Sequence, residues 1–478
     1  MLYLYLGIIV LEIITGLWCF YRKNKYLKYI NKTNNNQIKY EENIEESNTK
    51  ILMVIPCLRE QDIINDTLEH FLKITEEFEN VKILIVTTQK EEYEKKKSLY
   101  LESELVRDIK NSEKIDKVVH KYNKLLSTKE IKSLYKVKRM KDIRNKVREM
   151  VLKSKTTQQV VKDFIKKNKL QDKIYHMHYP KENGIMADQL NYVLDNFKFE
   201  DEKNTYFSVY NADSIPDENT LNEVLQVIKK KNNPKVIQQY AVPISNWNEL
   251  SGLMKGFAIY QSNFELRYGL INASLYNEWL YTYVLGHGMY FRVDELEKIG
   301  GFETKYWCED IYMSLLLRNK DINIYPVQSL EKMQSPQYLS ILIRQNAVWF
   351  RTSFKCFRIF KDIYKQNKKI NISIIGWMIQ RLRMNFNWIF EPVILLIPFV
   401  ISIIMNSIPM FLISLLAYFC KLILEYGGTI KLIEKLSDFK FKNKTKVMFL
   451  TASALSISNL GPLYSLIRRK KEKYKTIR

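Results

Sequence analysis

The sequence predicts an α/β protein: a mixed, mostly parallel sheet with flanking helices, a helical insertion, and transmembrane helices at both ends. Three observations predict it. Residues 51–55 form an apolar run closed by Pro56, residues 62–78 carry an amphipathic helical pattern, and residues 81–87 form a second apolar run. Strand, helix and strand at this spacing make a parallel crossover unit. Residues 91–172 are rich in Lys and Glu, helical in period, and free of Gly and Pro. Long apolar runs stand at 2–20, 386–405 and 408–424.

Taken in order, residues 2–20 are about as long as a bilayer requires of a helix, and Arg22-Lys23-Asn24-Lys25 follow them. A secretory signal would carry its charges before the apolar run and small residues after it. Here both are reversed. The positive-inside rule then puts residue 22 onward in the cytosol, with the plasma membrane the expected location. Glu12 is costly in such a helix unless it faces protein, and an interfacial anchor is the alternative. Residues 22–49 are polar and Asn/Glu-rich and read as a linker into a domain spanning 50–370.

The insertion at 91–172 reads as solvated amphipathic helices set on the sheet, without a core of its own. A basic face resting on anionic headgroups is its functional alternative. The sheet resumes at 173–179, a helix follows at 183–194, and further strands are expected at 205–210 and 235–242. Residues 371–478 form a C-terminal membrane region. Its two long runs, joined at Asn406-Ser407, read as a transmembrane hairpin. The third run, 447–467, is Ser-rich and broken at Gly461-Pro462. It reads as re-entrant or interfacial, because the basic tail 468–471 should stay cytosolic.

The 478 residues are 46% hydrophobic and 27% charged, with a formal net charge of +23. Such a charge calls for an anionic partner. No zinc finger, helix-turn-helix or aromatic RNA-binding signature is present, so nucleic acid is not the expected one. Five cysteines lie scattered without a CxxC, which fits a reducing compartment and argues against structural zinc. His176 and His178 are explained by alternation on a strand.

Asn211-Ala212-Asp213-Ser214 closes the run 206–210, with Pro216 just beyond. An acid past the C-terminal end of a buried strand sits where open α/β sheets bind ligands. The competing reading is a simple Asx turn.

Taken together, several segments resemble the family-2 glycosyltransferases, membrane-anchored inverting enzymes with a GT-A-like nucleotide-binding domain. Pro56-Cys57-Leu58-Arg59-Glu60 is similar to that family's P-x-x-x-E, and Asn211-Ala212-Asp213 falls at its D-x-D. Residues 184–191 resemble its G-K-x-x-x-L-N segment, with Met186 near the place of a phosphate-side lysine. Gly286-His287-Gly288 and Gly300-Gly301-Phe302 match its acceptor strand and the segment after that strand. Glu309-Asp310 matches its E-D motif. Gln345-Asn346-Ala347-Val348-Trp349 resembles Q-x-x-R-W with Val348 in place of arginine, and residues 474–478 resemble its K-T-x-R tail.

The resemblance implies transfer of a hexosyl or N-acetylhexosaminyl group from a nucleotide diphosphate sugar, UDP-linked by expectation, to a lipid-linked or surface glycan. It implies nucleotide-sugar contacts from Pro56, Glu60, Thr88, Asp188, Asn211 and Asp213. Gly286, His287, Gly288, Gln345 and Trp349 are the implied acceptor contacts. Asp213 is the implied ligand of Mg²⁺ or Mn²⁺, with Asn211 adding no charge. Asp310 is the implied general base, with Glu309 raising its pKa by like-charge repulsion. Each has a plainer reading: Glu309 and Asp310 open a helix, Trp349 sits in the core, and His287 is structural. Arg344 and Arg351 are candidates to replace the charge missing at Val348. Met186, Asn211 and Val348 keep open an inactive nucleotide-sugar-binding partner of another synthase. A processive polysaccharide synthase and a basic membrane-surface scaffold are further alternatives.

Overall fold

The computed structural model describes residues 1–37, 48–98, 102–111, 115–122, 126, 128–137, 139–153, 155–276, 280–367 and 369–468. Nine strands are described: β1 (Lys50–Pro56), β2 (Val81–Thr88), β3 (Ile174–Tyr179), β4 (Thr205–Val209), β5 (Val236–Gln238), β6 (Ala241–Val242), β7 (Met289–Arg292), β8 (Ile324–Pro326) and β9 (Glu331–Lys332). Seven form one sheet in the order β3-β2-β1-β4-β7-β5-β8, and β6 pairs with β9 separately. Only β7 runs antiparallel to its neighbours, β4 and β5. This is the mixed, mostly parallel sheet expected, with the single run 235–242 resolved into two short strands.

Alternation explains how the sheet is held. Ile51 pairs with Val81 and Val54 with Val209. Met53, Ile55, Ile83 and Ile85 face one layer with Leu68, Phe71, Val161 and Val224. Leu52, Val54, Leu84 and Val86 face the other with Leu190 and Val193. Strands buried on both faces read as continuous apolar runs. Each such side chain contributes about 1.5–3 kcal/mol on burial. The crossover helix is shorter than expected, Ile64–Ile74, and Thr75 Oγ1 donates to the Phe71 carbonyl at its end.

Two expectations are corrected. The N-terminal helix runs from Leu2 to Gln37, well into the supposed linker. Tyr26 and Ile30, spaced one turn apart, are buried in the main core, and that burial sustains the helix. Residues 38–47 lie outside the described residues, as does the tail from 469 on with its 474–478 motif. The insertion also differs. Besides helices Gln89–Ser98 and Thr157–Asn168 it contains four helices between Glu102 and Lys153. These do build their own core, with Leu105, Val106, Val118, Val119, Ile131, Leu134 and Val147 all buried. Their apolar stripes face one another rather than the sheet.

Four helical stretches are long and apolar enough to cross a bilayer: Leu2–Lys32, Ser373–Ile404, Ile408–Leu436 and Lys444–Ile467. Glu12 is buried against protein. Arg22 and Lys23, read from sequence as cytosolic flanking charge, are buried as well. Lys23 Nζ donates to Asn263 Oδ1 at 2.6 Å and to Thr429 Oγ1 at 2.7 Å, and Arg22 donates to Asn272 Oδ1. The weak third run is two helices, Lys444–Leu455 and Leu460–Ile467. The first lies so close to helix Gly252–Phe264 that a Cβ on Gly256 would stand 2.0 Å from the Leu450 carbonyl oxygen. The second packs on helix Leu339–Phe354, with Gly461 against Asn346.

Candidate active site

A single cavity of about 1150 Å³ runs from the C-terminal ends of β1 and β4 to helix Ser373–Ile404. Its floor is the point where the parallel half of the sheet meets antiparallel β7, next to β4. Pro56, Glu60, Asn211, Asp213, Gly286, His287, Glu309, Asp310, Gln345 and Trp349 all line it. These residues come from segments up to about 290 positions apart in the chain, and only the fold brings them together.

Three of the expected site residues do not line it. Thr88 is buried at the end of β2, where its Oγ1 accepts from the Lys90 N–H. Asp188 caps the helix Met186–Asn196 by accepting from the Ile185 N–H at 2.7 Å. Gly288 acts through its backbone: at φ +65° it donates to the Val209 carbonyl, and a Cβ there would meet the Gln239 carbonyl oxygen at 2.4 Å. Lys90 does line the cavity, with Nζ bonded to the Gly184 carbonyl at 2.7 Å. A cation is thus present on the side of the cavity that Met186 lines.

The Asn211–Ser214 stretch is both a turn and a cavity wall. The Asn211 N–H donates to Ser214 Oγ and the Ser214 N–H to the Asn211 carbonyl, so these two residues make the turn. Asp213 is 5% exposed, lines the cavity, and accepts from the Gln334 N–H at 3.3 Å. No cluster of three or more His, Cys, Asp or Glu side chains suited to a metal occurs among the described residues. One carboxylate is still compatible with Mg²⁺ or Mn²⁺, which draw their remaining ligands from substrate phosphates and water. Asp213 is the carboxylate available for that on this wall of the cavity.

Glu309 and Asp310 open helix Glu309–Asn319. A helix N-terminus favours ionised acids by some 0.3–1 kcal/mol, yet burial wins here. It raises the pKa of both carboxyls, and Asp310's charge raises that of Glu309 further. The Ile311 N–H, which donates to Asp310 Oδ1 at 2.8 Å, together with Arg381 and His287, opposes the rise at Asp310. Both carboxyls are thus held above the ordinary range, with Asp310 the one that receives an opposing hydrogen bond and two opposing charges.

His287 lies 2.9 Å from the buried Glu331 carboxylate through Nδ1. Burial pulls the imidazole pKa down, but Glu331, with Asp213 and Glu265, more than offsets it and the net shift is upward. Ser214 Oγ donates to the other oxygen of Glu331. Sequence reasoning missed Glu331, which sits in the two-residue strand β9 without a motif. It also missed Glu265, which lines the cavity from a π-helical turn, Glu265–Leu270. Such turns recur at functional sites. Burial, only partly countered by a hydrogen bond from Tyr283, pushes Glu265 up to about 7.

Beyond Asp310, Gln345, Val348 and Trp349 present one face of helix Leu339–Phe354 to the cavity. The buried Oε1 atoms of Gln345 and Gln189 have no hydrogen-bond partner among the described residues. Trp307, 47% exposed, stands at the rim. Neither Arg344 nor Arg351 lines the cavity, and Arg351 donates to the Arg468 carbonyl instead. At this end of the cavity a guanidinium is supplied by Arg381, and Arg59 lines the cavity beside Glu60.

No protein-family model and no curated protein matches the chain. Among solved structures, the chain is similar to the mannosyltransferase PcManGT from Pyrobaculum calidifontis, solved in complex with GDP-Man and Mn²⁺. The identity is 11% and the TM-score 0.47, over 98% of this chain and 99% of that one. It is also similar to residues 1–349 of S. aureus TarS, at 10% identity and a TM-score of 0.36 over 88% of this chain and 92% of that one. Overlaps this loose leave the function to be read from the site.

Proposed function

We propose that the chain is a membrane-bound, inverting glycosyltransferase with a GT-A-like domain. It moves a sugar from a nucleotide diphosphate sugar, UDP-linked by preference, onto a lipid-linked or surface glycan at the cytosolic face. One observation carries this reading: a single cavity joins the loops after β1 and β4 to the Glu309–Asp310 pair and to the Gln345–Trp349 face.

The nucleoside diphosphate lies against Pro56–Glu60 and Asn211–Asp213. Asp213 would hold Mg²⁺ or Mn²⁺ there, and that ion supplies the positive charge that stabilises a departing diphosphate. Asp310 takes the proton of the acceptor hydroxyl. The oxygen then attacks the anomeric carbon from the face opposite the diphosphate, the bond to the diphosphate breaks, and configuration inverts. Glu309 keeps its own proton and leaves the base to its neighbour. His287, held by Glu331, adds a nearby positive charge that keeps Asp310 ionised. Gln345 and Trp349 hold the acceptor, the ring offering a stacking face.

Nucleotide release from a panel of UDP- and GDP-sugars by the purified full-length protein tests the reading. Release with one donor in clear preference supports it. Asn211 and Val348 favour a second reading, a nucleotide-sugar-binding partner of another synthase. Tight nucleotide binding without release from any donor would support that one instead.

A further inference from the structure

Arg381 is 8% exposed and lines the far end of the cavity from helix Ser373–Ile404. Its Nε donates to Ser353 Oγ at 2.6 Å, and Ser353 in turn donates to Asn385 Oδ1 at 2.7 Å, which fixes the plane of the guanidinium. The Tyr281 ring lies 5.6 Å from its central carbon. Among the described residues the guanidinium's hydrogen bond is the one to Ser353, and no carboxylate comes within ion-pair distance. Asp310 and Glu265 feel its charge from farther away.

A guanidinium lining the cavity with one neutral acceptor and one aromatic face keeps donors available to a ligand. Its planar fork matches an oxyanion with two oxygens to offer. The open carbonyl oxygen of Gln345 on the same cavity adds an acceptor for a neighbouring hydroxyl. The outer face of the same helix exposes Ile379, Phe386, Phe390 and Val393.

We propose that Arg381 forms an oxyanion subsite at the acceptor end of the cavity, so that the acceptor carries a phosphate or carboxylate beside its accepting group. This rests on the glycosyltransferase reading for the word acceptor, but the anion subsite stands on the guanidinium alone. The oxyanion can belong to an amphiphile approaching along the apolar helix or to a soluble anionic glycan.

The test uses the full-length protein in nanodiscs of neutral lipid, with intrinsic tryptophan fluorescence reporting binding, since Trp307, Trp349 and Trp388 line the cavity. The probes are decyl phosphate, decyl glucoside and glucose 6-phosphate. Decyl phosphate or glucose 6-phosphate should bind on the order of tenfold tighter than decyl glucoside, the worth of one charge-assisted contact. Arg381→Gln should remove that preference, and Arg381→Lys, which keeps the charge without the fork, should retain part of it. A preference for decyl phosphate identifies an amphiphilic source, and equal binding of the two phosphates a soluble one. Equal affinities for phosphate and glucoside probes in the wild type, or an unchanged preference in a folded Arg381→Gln, would overturn the subsite. Donor hydrolysis without acceptor, followed in parallel, separates this from the function: its absence with the preference intact sinks the transfer reading alone.

Discussion

The Glu91 carboxylate accepts from Thr157 through both its N–H, at 2.8 Å, and its hydroxyl, at 3.1 Å. Glu91 stands at the start of the insertion and Thr157 at the start of its last helix, so the two flank the four helices between Glu102 and Lys153. The other oxygen of Glu91 accepts from the Arg59 N–H at 3.0 Å, and the Glu60 N–H donates to Thr157 Oγ1 at 2.9 Å. Both flanks of those four helices therefore hold the loop after β1 from behind. Arg59 needs that support, since it sits at φ 63°, a conformation costly for a residue with a side chain.

Glu91→Gln should therefore act on the donor and not on the chemistry. The amide loses one of the two oxygens and leaves a buried N–H unpaired, a cost of about 1–3 kcal/mol. We expect a rise in donor KM of roughly tenfold with kcat little changed. Equal losses in both would make Glu91 part of the reaction.

Glu331 joins Ser214 in the Asp213 turn to His287 across the cavity floor. Because the folded-state pKa of His287 is raised, its contribution to stability is full below the ordinary imidazole value and fades as pH rises through the folded one. Glu331→Gln should destabilise the protein by about 2 kcal/mol in mild acid, with the gap from wild type narrowing as pH rises. Thermal melts across that range check the sign. A gap that widens with pH would contradict it.

Glu265 has the same sign for a different reason. A carboxyl pushed up to about 7 stabilises the fold below its ordinary value of 4.5 and loses that contribution as pH rises through 7. Glu265→Gln mimics the protonated form. It should melt near wild type at pH 5 and a few degrees higher at pH 8, about what a loss on the order of 3 kcal/mol produces in a domain of this size.

The strands, the crossover, the apolar helices and the order of the motifs were legible in the sequence, because each is a local pattern of apolar period or punctuation. Pro56, Glu60, Asp213, Asp310 and Trp349 could be found that way. Glu265, Glu331 and Arg381 could not. They lie in a helix interior, a two-residue strand and an apolar helix; only long-range packing turns Glu265 and Arg381 toward the cavity and sets Glu331 behind His287. Thr88 and Asp188 show the reverse: both were expected as nucleotide-sugar contacts, yet local hydrogen bonding makes each a cap. The insertion was misread because stripes facing each other look, one helix at a time, like stripes facing a sheet.

The neutral amide at Asn211 gives a prediction about charge. If Asp213 is the lone carboxylate ligand, Asp213→Ala should abolish metal-dependent nucleotide binding. Asn211→Asp, adding a negative charge near the cation, should shift the metal requirement to lower concentration. A metal titration of nucleotide binding decides it. If neither variant moves the curve, the stretch from Asn211 to Ser214 is a turn and nothing more.

The most direct measurement is on Asp310→Asn, comparing sugar transfer with nucleotide affinity in one preparation. A general base acts in the transition state and not in ground-state binding. Transfer should fall by roughly 10²–10⁴, while the donor nucleotide binds as in the wild type. Transfer that persists, or nucleotide affinity lost in step with it, would show that Asp310 is not the base and contradict the proposed mechanism.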